Sequence, residues 1–90
     1  MQKSIITVVG KDRVGIIARV CTYLAENNVN ILDISQTIVD GFFNMMMITD
    51  TNNASLEFLS LSEGLEELGR SMGCIIKLQR EDIFNQMQRI

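Results

Sequence analysis

The residues of this chain that could do chemistry gather in one stretch, Val8-Val9-Gly10-Lys11-Asp12-Arg13-Val14-Gly15-Ile16-Ile17. A carboxylate and two cations stand there between two glycines. Asp12 occupies the position of a helix N-cap, where its carboxylate accepts the unpaired amide hydrogens of the first turn. Gly15 falls inside that turn at a cost of ~1 kcal/mol relative to alanine, which points to the close approach of a backbone or a ligand. A strand-to-helix turn of this kind collects amide donors and the positive end of a helix dipole, the chemistry that holds a small anionic group. The same residues also read as a well-capped helix whose glycine lets it pack on a sheet. The stretch by itself leaves both readings open.

Other chemistry is scarce. The chain has no histidine, so the usual general base, the commonest metal ligand and the histidine-activated nucleophiles are missing. Cys21 and Cys74 stand alone, without metal-ligand spacing, and read as small buried hydrophobes in a reducing compartment. No metal and no cofactor are expected. Eight basic and 11 acidic residues give a net charge of −3, the wrong balance for binding nucleic acid phosphates. No apolar run is long enough for a membrane span and the N-terminus lacks a signal-peptide pattern, so no membrane and a cytoplasmic location are expected. Ninety residues suit a single domain, 1–90, burying about 60–65% of its unfolded surface. At 47% hydrophobic, either its core is unusually full or some apolar surface belongs to an interface.

The elements that must position the turn follow from periodicity. Residues 4–9 form a β-branched strand, apolar on both parities, with Ile5 and Val9 on one and Ile6 and Val8 on the other. That is the mark of a central strand covered on both faces. A helix over 13–27 buries Ile17, Val20, Cys21 and Leu24, and Asn27-Asn28 closes it. Residues 29–39 form a second strand with neither parity clean, which predicts a bulge or a solvated side. Asp40-Gly41 is a two-residue hairpin signal. Residues 42–49 form a third strand, again apolar on both parities. After a polar loop comes a second helix with Phe58, Leu61, Leu65, Leu68 and Met72 on one face. Ser60 and Glu63 resemble a capping box that would start its regular part at Leu61, and Gly73 ends it. The last strand covers 74–80. Ile83, Phe84, Met87 and Ile90 then recur at helical spacing in a short terminal helix over 81–90, lying on the sheet or on a partner.

The order βαββαβ predicts an α+β, ferredoxin-like sandwich: a four-stranded antiparallel sheet, order 4-1-3-2, with two helices on one face plus the short C-terminal helix. The strands that are apolar on both parities fall in the centre, so pattern and topology agree. The second strand becomes a long edge without proline or lysine to discourage pairing. A homo-oligomer, most simply a dimer, would cover that edge through continued sheet or adjacent helices.

Three readings of this scaffold compete, because a fold alone does not decide function. An RNA-recognition module needs basic and aromatic strand residues, yet Asp40-Gly41-Phe42-Phe43 is acidic before its glycine, and both phenylalanines read as core. An acylphosphatase-like hydrolase would use Arg13 for phosphate and Asn30 for water, but Asp12 repels the anion and no other catalytic partner is evident. The third reading rests on a resemblance. Val9-Gly10-Lys11-Asp12-Arg13-Val14-Gly15-Ile16, followed by Asn28-Val29-Asn30-Ile31, resembles the ACT domain over nearly the whole chain. The ending Glu81 to Ile90 resembles small stand-alone bacterial ACT proteins. The first half is also similar to the ACT domains of formyltetrahydrofolate deformylase and the glycine-cleavage regulator.

The resemblance implies a regulatory, non-catalytic module that binds an amino acid or related metabolite, commonly between two subunits. It implies a ligand site at Lys11, Asp12, Arg13, Val14, Gly15 and Ile16, together with Asn30 and Ile31. Amides near Val14 and Gly15 would take an α-carboxylate, and Asp12 with Asn30 an α-ammonium and a polar tail. No output domain lies in these residues, so a protein partner would be acted on in trans. The alternative of another class is an interaction module without a ligand. Gly10 departs from amino-acid-binding relatives that carry a polar side chain at that position.

Overall fold

The computed structural model describes residues 2–11 and 13–81, with the side chains of all of these except Arg13. Six elements follow in order: β1 (Lys3–Gly10), α1 (Arg13–Glu26), β2 (Asn30–Val39), β3 (Phe42–Asp50), α2 (Phe58–Met72) and β4 (Ile75–Arg80). The sheet order is β2-β3-β1-β4, antiparallel throughout. This is the expected ferredoxin-like arrangement. The expected terminal helix over 81–90 lies outside the described residues, apart from Glu81, and so does the Asp12 cap.

Alternation decides which side chains meet the helices. Ile6 and Val8 of β1, Phe43, Met45 and Met47 of β3, and Ile76 and Leu78 of β4 form one core with Ile16, Val20 and Leu24 of α1 and Leu61 and Leu65 of α2. The buried line of α1 is therefore Ile16-Val20-Leu24, with Ile17 and Cys21 packed at its margin, a small rotation from the expected stripe. The opposite sheet face is only partly sheltered. Phe42, expected in the core, is exposed there, while its neighbour Phe43 is buried under the helices. Val9 is likewise exposed, so full cover of the central strands on both faces is not observed.

Turn chemistry sets the connections. Asn28, with φ 61°, ends α1. Its amide donates to the Ala25 carbonyl and the Val29 amide to the Leu24 carbonyl, the paired bonds of a Schellman motif. Gly73 ends α2 in the same way: its amide donates to Arg70 and that of Cys74 to Gly69. Asp40 and Gly41 both have positive φ, as a type I′ hairpin requires. The predicted bulge is present, with Leu32 as the extra residue between Ile31 and Asp33. The capping box is not: α2 starts at Phe58 after Glu57, which makes no side-chain cap bond. Ser60 and Glu63 thus lie inside the helix. Buried Ser4 and Thr49 are satisfied: Thr49 Oγ1 donates to the Ser4 carbonyl at 3.1 Å across β1 and β3, and Ser4 Oγ shares a 3.2 Å hydrogen bond with Thr51 Oγ1.

Candidate functional site

The turn after β1 lies at one end of the sheet. Gly10 pairs with Phe43, which pairs with Ile38, so these three form one row under the start of α1. Gly10 is required there by packing: a Cβ would come within 2.6 Å of Ile16 Cδ1 and 2.8 Å of Cys74 Cβ. A polar side chain at position 10 has no room in this chain. Burial raises the Cys74 thiol pKa, so that thiol stays protonated beside the turn. Lys11 is exposed and places Nζ 5.2 Å from the Phe42 ring centroid, a cation–π distance. Val14 is 76% exposed, Gly15 half-buried and Ile16 fully packed.

Two shallow cavities flank this end. One of about 300 Å³ is lined by Gln36, Thr37, Ile38 and Phe43 at the β2 border. The other, about 210 Å³, lies between the helices at Gly15, Ile16, Arg19 and Met72. Sequence reading singled out none of Gln36, Ile38 or Arg19. The hairpin signal at Asp40-Gly41 holds the missing clue, because a two-residue turn fixes the β2–β3 register and puts Ile38 beside Phe43.

Asn30 and Ile31 sit at the other end. Asn30 pairs with Asp50 and Ile31 with Thr49, whose β1 partners are Lys3 and Ser4. Ser4 and Gly10 are six residues apart on one strand, about 20 Å at 3.3–3.4 Å per residue. Within one chain, then, the turn Lys11–Ile16 and the pair Asn30–Ile31 are not brought together. Asp12 lies outside the described residues; its neighbour Lys11 stands at the far end of the sheet from Asn30, because β2 starts where β1 starts and ends where β1 ends. The same separation removes the pairing that the acylphosphatase-like reading needs between the turn and Asn30. Among the described residues no group of three or more acidic or cysteine side chains could hold a metal ion. No helix among them is long and apolar enough to cross a membrane.

The β2 border between the two ends is a long exposed strip. All of its residues except Ile31 are exposed, including Leu32, Ile34, Val39 and Ile38, the last at 65%. The helix layer stops short of it.

Comparison with known proteins agrees with this architecture. A UPF0237 protein of Bifidobacterium longum is 62% identical over 90 residues, covering all of both chains. The solved structure of an ACT domain protein from Streptococcus pneumoniae is 41% identical, with a TM-score of 0.81 over 92% of this chain and 93% of that one. A formyltetrahydrofolate deformylase from Pseudomonas syringae shares the fold at a TM-score of 0.78 and 21% identity, over 89% of this chain and 28% of its own. The ACT domain profile matches residues 2–79. The family is one of small-molecule-binding regulatory modules. On that match and those identities, the chain belongs to the ACT domain family.

Proposed function

We propose that this chain works as a homodimer that holds an amino acid or related small metabolite between its copies and passes that state to a separate protein. One observation supports the reading: the turn after β1 and Asn30 lie at opposite ends of one sheet, and the exposed β2 border between them carries Leu32, Ile34, Ile38 and Val39 among polar residues. Antiparallel pairing of two β2 borders sets the start of one against the end of the other. Each turn then gains Asn30 and Ile31 of the partner subunit at its own end of the joined sheet. The positive end of α1 faces the α-carboxylate, and the cavity beside Ile38 and Phe43 receives the rest of the ligand.

Light scattering across a concentration series, with a thermal-shift screen of common amino acids and folate-related compounds, tests this. The expected result is a dimer and at least one compound that raises the melting temperature. Asn30→Ala should abolish that rise without dissociating the dimer. A strict monomer at millimolar concentration removes the shared site. A dimer that no compound stabilises leaves an interaction module without a ligand.

A further inference from the structure

The edge of β2 that faces away from β3 has a hydrogen-bonding pattern of its own. Val39 pairs with Phe42 across the two-residue turn, and the residues that flank such a turn exchange their backbone bonds. Counting back by twos, Thr37, Ser35 and Asp33 also turn their amides toward β3, while Ile38, Gln36 and Ile34 turn theirs outward. β2 is the border strand of the sheet, so no other described strand pairs with these outward groups. One of them is already engaged: the Ile34 amide donates to Asp33 Oδ1 at 2.9 Å. The carboxylate stands where a further strand would place its carbonyl.

The same edge is self-complementary. Its regular run is bounded by the bulge at Leu32 and the turn at Asp40, which leaves residues 33–39. The middle of that run is Gln36, and about it the sequence Ile34-Ser35-Gln36-Thr37-Ile38 is close to a palindrome. Antiparallel pairing about this point sets Ile34 against Ile38, Ser35 against Thr37 and Gln36 against itself. These are an apolar pair, a hydroxyl pair and an amide pair whose donors and acceptors match. Moving the axis one residue either way opposes an isoleucine with a glutamine instead. Ile34, Gln36 and Ile38 share the helix side of the sheet with their partners Met47, Met45 and Phe43. All three are exposed, Ile34 by 40% and Ile38 by 65%.

We infer that two copies pair through β2 about a two-fold axis at Gln36, and that each must draw Asp33 off the Ile34 amide to complete the ladder. The inference rests on the shared-site reading and gives it a register. Ile34 of the partner subunit then lies level with the row of Gly10, Phe43 and Ile38. Asn30 and Ile31 of the partner subunit lie just beyond that row, at the end where the turn after Gly10 stands. Asp33 sets the strength of the pairing, because its carboxylate competes with the carbonyl of the partner's Ile38 for one amide in each copy.

Full-length Ser35→Cys and Thr37→Cys chains, mixed and mildly oxidised, test the axis, with peptide mapping of the bridges. Ser35 and Thr37 of opposite copies face each other as a non-hydrogen-bonded pair, about 4.5 Å between Cα atoms. Two copies of the same position sit diagonally, about 8 Å apart, beyond disulfide reach. The expected product is the mixed bridge, formed about tenfold faster than either self-bridge. A Thr37→Cys self-bridge formed as fast moves the axis and overturns the inference, while the dimer itself stands. The mixed bridge in a protein that no compound stabilises keeps the register and removes the ligand. A strict monomer overturns both. Asp33→Ala should lower the dimer dissociation constant about tenfold by sedimentation, since two amides are freed. Asp33→Asn, which keeps an acceptor, should stay near the unmodified chain. An unchanged constant in Asp33→Ala, or an equal fall in both variants, overturns the role of Asp33.

Discussion

A methyl group added at Gly69 would stand 2.9 Å from the Cys74 carbonyl oxygen, 3.1 Å from Ile76 Cγ1 and 3.3 Å from the Ile76 nitrogen. Two of these are backbone atoms of β4 and its approach, which cannot swing aside. Gly69→Ala should therefore lower stability by about 1–3 kcal/mol although alanine is the better helix former. In a domain of this size that is a melting-temperature drop of roughly 4–8 °C per kcal/mol, read by calorimetry. Tyr23 records a second close approach: its phenol ring fills the space left by the missing side chain of Gly64. Burial raises the pKa values of Tyr23 and of Cys74. The folded state thus holds these protons more tightly than the unfolded one. The contribution is fully present below their ordinary values and is lost as pH rises through the folded ones. Chemical denaturation should show stability level near neutrality and falling in the alkaline range, with Tyr23→Phe reducing the fall.

At the scale of elements, the two helix ends use one motif with different residues at the left-handed position, Asn28 and Gly73. Alanine at position 28 would meet the left-handed penalty of about 1–2 kcal/mol that asparagine partly relieves. Asn28→Ala should lower the denaturation midpoint, while Asn28→Gly should leave it unchanged or raise it. These ends were legible because asparagine and glycine advertise the backbone they tolerate. So were the Asp40-Gly41 hairpin and the bulge, the latter betrayed by the broken alternation of β2. The capping box misled because Ser60 and Glu63 have the right spacing, and only the packing of Phe58 extends α2 past them. The site was half legible. Residue types pointed to the turn and the family resemblance to Asn30 as candidates, but that these occupy opposite ends follows from register, which periodicity does not report.

The molecule measures 35 × 34 × 20 Å, and its described residues form two layers, with α1 and α2 on one side of the sheet. If two copies join through β2, Ile38 sits on the shared border, and 65% of it is exposed without a partner. Ile38→Lys should convert a dimer to a monomer by light scattering while changing the melting temperature of the isolated chain little, since exposed substitutions usually cost within about 0.5 kcal/mol. The flatness carries a consequence for signalling. Tiles joined border to border by an axis through their plane turn α1 and α2 of both copies the same way, giving the pair a helical top. A listener settling on the top would touch both halves at once and take one vote from two ballots.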